Sequence, residues 1–224
     1  MPQFQDVSRQ QVVTMLCRIM VGRCLWPVML LAACADAEVP AAEPAGEPIA
    51  NILPIEASAA DPEALDIARQ SADALGHELM GLLLATLERE GPTAAIAYCS
   101  DSAQNRTAAL NTASVQVRRV TMQPRNLANA PDALEEELLG QFARQHAEGR
   151  LPADTSIWVG EGAERELRYL RPIIVQQGCL ACHGDPAEFA PAIRTALARH
   201  YPDDRATGYQ VGDLRGAISV RVTP

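Results

Sequence analysis

Cys179-Leu180-Ala181-Cys182-His183 is the most specific signal in this 224-residue chain. The C-x-x-C-H spacing is typical of covalent haem c attachment, in which two thiols bind the porphyrin vinyl groups and the next residue binds the iron. A thioredoxin-like redox pair would need a βαβ context, and a zinc site would need a second pair of ligands. The sequence offers neither context. It therefore predicts one covalent haem c, attached through Cys179 and Cys182, with His183 as an axial ligand of the iron.

The start of the chain is typical of an exported protein. Arg18 and Arg23 precede an apolar run over residues 24–33, whose small last residues lead into Cys34. This pattern resembles a bacterial lipoprotein signal, which is cleaved before a cysteine that then carries lipid. An uncleaved membrane helix is the alternative, but it would need roughly 20 apolar residues. We therefore expect residues 1–33 to be a signal peptide and the lipid on Cys34 to anchor the protein on the periplasmic side of a bacterial membrane.

The length and composition of the chain after this signal indicate a tether followed by one acidic domain. Residues 34–60 are rich in Ala, Pro and Glu, which is typical of a semi-extended tether. Residues 61–224 have the length of a single domain. The net charge of −9 disfavours nucleic acid and anionic lipid as electrostatic partners. We therefore expect a tethered, acidic domain that does not bind nucleic acid.

Caps and hydrophobic spacing predict helices first and strands later. Asp61-Pro62-Glu63 has the features of a helix start, and apolar residues at helical spacing predict a long first helix that ends at Gly91-Pro92. The later predicted elements are a helix over residues 93–103, a strand over 115–122, a helix capped by Asp132 and running to about His146, strands over 155–159 and 166–175, a helix over 188–199, and a hairpin of 209–211 and 217–222 around a turn at 212–216. This order predicts the α+β class.

Several short stretches, taken with the C-x-x-C-H motif and Gly184, resemble a known bacterial family. They are Ala95 to Cys99, Arg118-Arg119, Arg125 to Asp132, Tyr201 to Tyr209, and Gly212 to Ala217. Together they resemble the periplasmic single-haem c domains with a PAS-like fold, long catalogued as a domain of unknown function. The resemblance implies an antiparallel PAS-like sheet with long N-terminal helices. It also implies a domain that occurs alone or as the sensing part of signalling proteins.

The resemblance implies further that the sixth ligand of the iron is a cysteine, and the matching position is Cys99. The sequence gives an independent reason to consider this residue, because Cys99 is the one thiol left once the signal, lipid and haem cysteines are assigned. A spare cysteine in an exported protein needs an explanation. A buried, inert thiol is the alternative. The rival ligands are Met122, His77, His146 and His200.

Haem propionates need cationic or hydrogen-bonding neighbours wherever they are partly buried. Arg118, Arg119 and Arg125 are the candidates for this role. Their alternative roles are solvated charges or partners of helices and loops within the fold. The sequence leaves both roles open.

Three classes of function are compatible with a haem bound in this way. A redox or gas sensor, which the resemblance suggests, would need a separate signalling partner, since the sequence shows no output domain. An electron-transfer cytochrome would need only the haem, a docking surface for a redox partner and a suitable potential. A haem enzyme would need an open coordination position, which two protein ligands would block. We therefore expect redox or gas sensing, with electron transfer as the alternative and without enzymatic activity.

Overall fold

The computed structural model describes residues 61–223 and begins with a 29-residue helix, α1 (Pro62–Glu90). The Asp61 carboxylate accepts a hydrogen bond of 3.1 Å from the Glu63 N–H and so caps the first turn. The helix ends at Gly91, whose φ of 83° is readily adopted only by glycine. The predicted long first helix is therefore confirmed.

The predicted signal peptide (residues 1–33), the lipid-bearing Cys34 and the tether (residues 34–60) lie outside the described residues. The division of the chain at residue 61 therefore stays a prediction. Between residues 61 and 223, no helix is both long and apolar enough to cross a bilayer.

Two short helices follow where the sequence predicted one. They are α2 (Pro92–Asp101) and α3 (Ala103–Ala109), and the chain leaves helical geometry between them at Ser102, whose φ is −115°. The Ser102 N–H still donates to the Tyr98 carbonyl at 2.9 Å, and the Ser102 carbonyl accepts from the Arg106 N–H at 3.0 Å. The helix therefore bends at Ser102 without losing these backbone hydrogen bonds, which lets α3 pack against both α1 and the sheet.

Four strands form a single antiparallel sheet in the order β1-β4-β3-β2. The remaining elements, in chain order, are β1 (Val115–Val120), α4 (Ala133–Ala147), β2 (Thr155–Val159), β3 (Glu166–Ile174), α5 (Leu180–His183), α6 (Pro191–His200) and β4 (Leu214–Val222), with short 3-10 turns between some of them. An antiparallel sheet preceded by helices confirms the predicted α+β class.

The sheet is covered on both faces, so its strands bury side chains in both directions. One face packs against α1 and contributes Val117, Tyr169 and Val220 to the core. The other face packs against α4 and contributes Val120 and Leu170. Because successive residues of a strand point to opposite faces, neighbours in β1 belong to different layers of the fold.

The predicted hairpin near the C-terminus is wrong. Residues 209–213 form no strand, and β4 pairs with β1 and β3 instead. Backbone hydrogen bonds tie this segment to the region of the C-x-x-C-H motif: the Tyr209 N–H donates to the His183 carbonyl at 3.0 Å, and the Gly212 N–H donates to the Val175 carbonyl at 2.9 Å. Contacts between residues distant in sequence therefore replace the local strand pairing that the turn residues suggested.

β1 is an edge strand, and local groups occupy part of its free side. The Val117 N–H donates to the Asn111 side chain at 2.8 Å, and the Val115 N–H donates to the Thr112 hydroxyl at 3.0 Å. Just beyond the strand, the N–H of residue 121 donates to the backbone carbonyl of residue 129 at 3.1 Å. These donors have partners within the chain, where an open edge would leave them available to another strand.

A buried carboxylate lies between α4 and the sheet. Glu135 is completely buried, accepts a hydrogen bond of 2.7 Å from the Ser219 hydroxyl, and completes a capping box with Asp132. The Asp132 carboxylate accepts hydrogen bonds of 2.6 Å from both Arg168 and Arg221. The Glu135 carboxylate is also 3.6 Å from the Arg168 guanidinium. The start of α4 is thus held to β3 and β4 by charge-assisted hydrogen bonds.

We expect Asp132→Asn to lower the free energy of unfolding by about 1–2 kcal/mol at pH 7, since asparagine keeps the cap but loses both charged pairs. Burial favours a higher pKa for Asp132, but the Glu135 N–H, Arg168 and Arg221 outweigh it and hold the pKa below its usual value. The carboxylate therefore stabilises the fold above the pKa of the unfolded chain, and this contribution is lost as the pH falls through the folded-state pKa. Urea unfolding of both proteins checks this, because their difference should shrink below about pH 4. A difference independent of pH would contradict it.

Candidate functional site

The C-x-x-C-H motif forms one compact turn. A 3-10 turn (Gln177–Cys179) leads directly into α5, and both motif thiols are half-buried. Residues three apart lie on the same side of a helical turn, so the spacing places Cys179 and Cys182 side by side. Gly184 closes the turn, where a β-carbon would lie 2.7 Å from the Leu180 carbonyl oxygen. The turn thus holds both thiols next to His183, the residue that follows Cys182.

The imidazole of His183 is oriented by a single backbone contact. Its Nδ1 lies 2.7 Å from the Ala206 carbonyl oxygen. A carbonyl can only accept, so Nδ1 carries the proton and Nε2 keeps its lone pair. Burial lowers the pKa of His183 to about 3, and the guanidinium groups of Arg125 and Arg215 act in the same direction. The imidazole is therefore neutral at physiological pH, which is the state that binds a metal.

Arg125 lies beside this histidine and is held by several protein groups. Its Nε donates to the Asp204 carboxylate at 3.0 Å. Its Nη2 donates to the Cys182 carbonyl and, at 3.3 Å, to the Ala206 carbonyl. The guanidinium carbon is 5.7 Å from the centre of the Tyr201 ring. Arg125 therefore connects the motif to the loop that carries the acceptor of the His183 proton.

Cys99 belongs to the same cluster, although 80 residues separate it from the motif. Its helix, α2, packs against α6, and an apolar cluster joins the two helices to the motif. Cys182 and Ala196 pack against this cluster, whose buried members are Ile96, Phe189, Ile193, Leu197 and Tyr201. Burial raises the pKa of the Cys99 thiol, and the charges of Arg119 and Arg125 oppose this rise. Burial also raises the pKa of Cys182, Arg125 lowers it, and negative charge on Cys99 raises it again. The fold thus brings the predicted distal cysteine to the predicted haem cysteines.

Arg119 is a half-buried cation that no carboxylate neutralises in the described part of the chain. Its Nε is buried without a hydrogen-bond partner. Burial lowers its pKa, and negative charge on Cys99 or Tyr201 would raise it. A guanidinium nitrogen buried without a partner is costly, so the position fits a group that brings negative charge. A haem propionate and the thiolate of Cys99 both meet this requirement.

Arg118, the other arginine of the pair, lies on the opposite face of the sheet. Its guanidinium donates to the carbonyls of Ala128, at 3.2 Å, and Ala130, and it is 3.7 Å from the Glu135 carboxylate. These partners belong to α4 and to the loop before it. The structure therefore separates Arg118 from Arg119 and from Cys99, and gives it the role within the fold that the sequence left open.

The rival iron ligands have different surroundings from Cys99. His146 lies in the last turn of α4, the helix that covers the other face of the sheet. His77 is exposed on α1, and Met122 is 48% exposed just after β1. His200 ends α6, next to Tyr201. Of the five candidates, Cys99 is the one whose charge the structure couples to both Cys182 and Arg119.

Comparison with known proteins identifies the family. The family model for Tll0287-like proteins, described as Tll0287, matches residues 51–223. The chain belongs to the Tll0287-like family. It is also similar to the crystal structure of the cyanobacterial haem protein Tll0287, with 32% sequence identity and a TM-score of 0.53 over 73% of this chain and 97% of that chain. A search of curated proteins found no match. These findings confirm the family that the sequence motifs indicated.

In this Tll0287-like chain, the site also includes groups that sequence reasoning did not assign to it. The loop over residues 201–209 was part of the family resemblance, but its role at the site depends on the backbone carbonyl of Ala206, and a carbonyl has no sequence signature. Asp204 fixes that residue by accepting a hydrogen bond of 2.8 Å from the Ala206 N–H. The Tyr209 ring packs edge-on against His183, with 6.4 Å between ring centres. The recurrence of charged and aromatic residues in this loop was the sequence signal that could have assigned the loop to the site.

Proposed function

We propose that this Tll0287-like protein binds one covalent haem c through Cys179 and Cys182, with His183 and Cys99 as axial ligands. The observation that carries the proposal is the state of His183, which is neutral, is oriented by Ala206, and belongs to the same short turn as the half-buried thiols of Cys179 and Cys182. The similar solved structure is that of a haem protein, which supports the same cofactor here.

The surrounding residues suit the ligands in different ways. His183 offers a neutral donor, since its Nδ1 proton is committed to a carbonyl. Cys99 is half-buried, and burial raises the pKa of its thiol, while the charges of Arg119 and Arg125 oppose this rise and favour the thiolate. Arg119 supplies a cation for that thiolate or for a propionate. When bound, the haem supplies a one-electron Fe(III)/Fe(II) couple, and a negatively charged ligand favours the ferric state.

We propose redox or gas sensing as the function of this site. Cys99 lies on α2, a ten-residue helix bounded by the positive φ of Gly91 and the bend at Ser102. A short helix with a change of backbone direction at each end can shift without unfolding its neighbours, and Cys99 would link its position to the state of the iron. A separate signalling protein would receive this change. With two protein ligands, the proposal includes no catalytic turnover at the iron.

Electron transfer is the second candidate function. The net charge of −9 favours docking to a basic redox partner. Lipid on Cys34 and a tether over residues 34–60 would hold a sensor or an electron carrier at the periplasmic face of a membrane, within reach of membrane partners. The two functions differ in whether the distal ligand stays bound in both oxidation states.

We expect the reduced protein to bind carbon monoxide, because a thiolate stabilises Fe(III) more than Fe(II) and its bond weakens on reduction. The experiment uses the full chain, matured in a bacterial periplasm and reduced with dithionite, and follows the Soret band as carbon monoxide is added. Rapid uptake would support ligand release and sensing. Iron that stays six-coordinate in both states would favour electron transfer. Pigment that separates from the denatured chain would contradict covalent attachment.

A further inference from the structure

We propose that Arg125 is a positioning residue that tunes His183 as an iron ligand. It acts through the Ala206 carbonyl, which accepts hydrogen bonds from both side chains. This inference rests on the proposed ligation by His183, and it gives Arg125 a role different from the propionate contact that the sequence suggested.

The first step is that the Arg125–Asp204 pair holds both sides of Ala206. Arg125 Nη2 donates to the Ala206 carbonyl at 3.3 Å, and the Asp204 carboxylate accepts from the Ala206 N–H at 2.8 Å. The two side chains also bind each other, with 3.0 Å between guanidinium nitrogen and carboxylate oxygen. Their side chains are only 12% and 11% exposed, so water competes little for these bonds. The position of the acceptor of the His183 proton is thus set by this pair.

The second step concerns the same carbonyl as a shared acceptor. A strong hydrogen bond from Nδ1–H gives an imidazole more anionic character, which makes it a stronger ligand for Fe(III). Arg125 donates to the same oxygen and withdraws electron density from it, so it limits the strength of the His183 contact. Its positive charge beside His183 also disfavours the ferric state relative to the ferrous state. Both effects raise the reduction potential.

The third step is that Nε and Nη2 of Arg125 are directed at the protein. Nε donates to Asp204, and Nη2 donates to the carbonyls of Ala206 and Cys182. The last contact fixes the residue just before His183. Arg119 differs, since its Nε has no partner in the described residues. The geometry therefore assigns Arg125 to the backbone around the histidine and leaves Arg119 as the arginine available to an incoming anion.

The test measures the midpoint potential of the full-length haem protein in three variants. We expect Arg125→Gln to lower the potential, because the cation is lost and Ala206 becomes a stronger acceptor. We expect Asp204→Asn to raise it, because Arg125 keeps its charge while its counter-ion is lost. Arg194→Gln is the matched control, since Arg194 also donates to a backbone carbonyl, that of Phe189 at 2.8 Å, and its loss changes the net charge equally.

Opposite signs for the two variants would separate tuning from a structural role, because simple disruption of the loop would shift both potentials in one direction. Shifts of the same sign, an unchanged potential in Arg125→Gln, or an equal shift in Arg194→Gln would overturn the inference. If Arg125→Gln does not accumulate, Asp204→Asn carries the test, with a lowered or unchanged potential as the contradicting result. Absence of a haem spectrum in the wild-type protein would instead contradict the proposed function.

Discussion

We expect Cys99→Ala to abolish the low-spin thiolate signature of the ferric protein and to raise its reduction potential. A thiolate is a strong, negatively charged ligand, and its removal leaves the iron with His183 and either water or an open position. Since axial ligands set potentials over a range of about 0.8 V, a shift on the order of 0.1 V is reasonable for the loss of one anionic ligand. Optical and electron paramagnetic resonance spectra of wild-type and variant protein check the first effect, and redox titration checks the second.

The matched control for this experiment is Ser102→Ala. Ser102 follows the same helix and has a small side chain that makes no capping hydrogen bond. The Ser102→Ala substitution should therefore leave both the ferric spectrum and the reduction potential unchanged. Cys99→Ser keeps the volume of the side chain and should behave like Cys99→Ala. Spectra that are unchanged in both Cys99 variants would exclude Cys99 as a ligand. Met122, His77, His146 and His200 would then remain as candidate ligands.

The second large effect concerns stability. We expect Glu135→Ala to lower the free energy of unfolding by about 3–5 kcal/mol, because it removes a buried charge from a network that contains the nearly buried Arg168. It also leaves the Ser219 hydroxyl without its partner and opens the capping box at the start of α4. For a domain with a total stability of about 5–15 kcal/mol, this is a large fraction.

Denaturant unfolding followed by circular dichroism measures this effect. Glu136→Ala is the control, since Glu136 is the next residue in the same helical turn and is exposed. It should change stability by no more than about 0.5 kcal/mol. Glu135→Gln keeps the hydrogen-bonding atoms but loses the charge. Its free energy of unfolding should lie between those of Glu135→Ala and Glu136→Ala. Equal midpoints for Glu135→Ala and Glu136→Ala would contradict the network's contribution.

The sequence predicted best those features that short stretches determine. Asp61 and Asp132 are helix caps whose effect is confined to one turn, and both helices begin where these residues indicate. The α+β class followed from the order of the elements, and the antiparallel sheet followed from the family resemblance. The family was predicted from motifs, each of which occupies a few consecutive residues.

Features that depend on distant contacts were not predictable in the same way. Arg118 and Arg119 are adjacent, and strand alternation implies that they face opposite layers, but only the packing of α1 and α4 determines which layer each one faces. The predicted hairpin failed because residues 209–213 bind backbone groups of the motif region. The contact between His183 and Ala206 depends on a carbonyl, a group that every residue possesses.

The occupied edge of β1 has a consequence for the protein in concentrated solution. Unpaired strand edges allow sheets of separate molecules to join, which is a common route to aggregation. In this sheet, Asn111, Thr112 and the carbonyl of Asn129 bind donors on one side of β1 and its continuation. Two copies of the chain are therefore hindered from joining their sheets through that side, so crowding at high local density should not by itself drive them into extended β assemblies there.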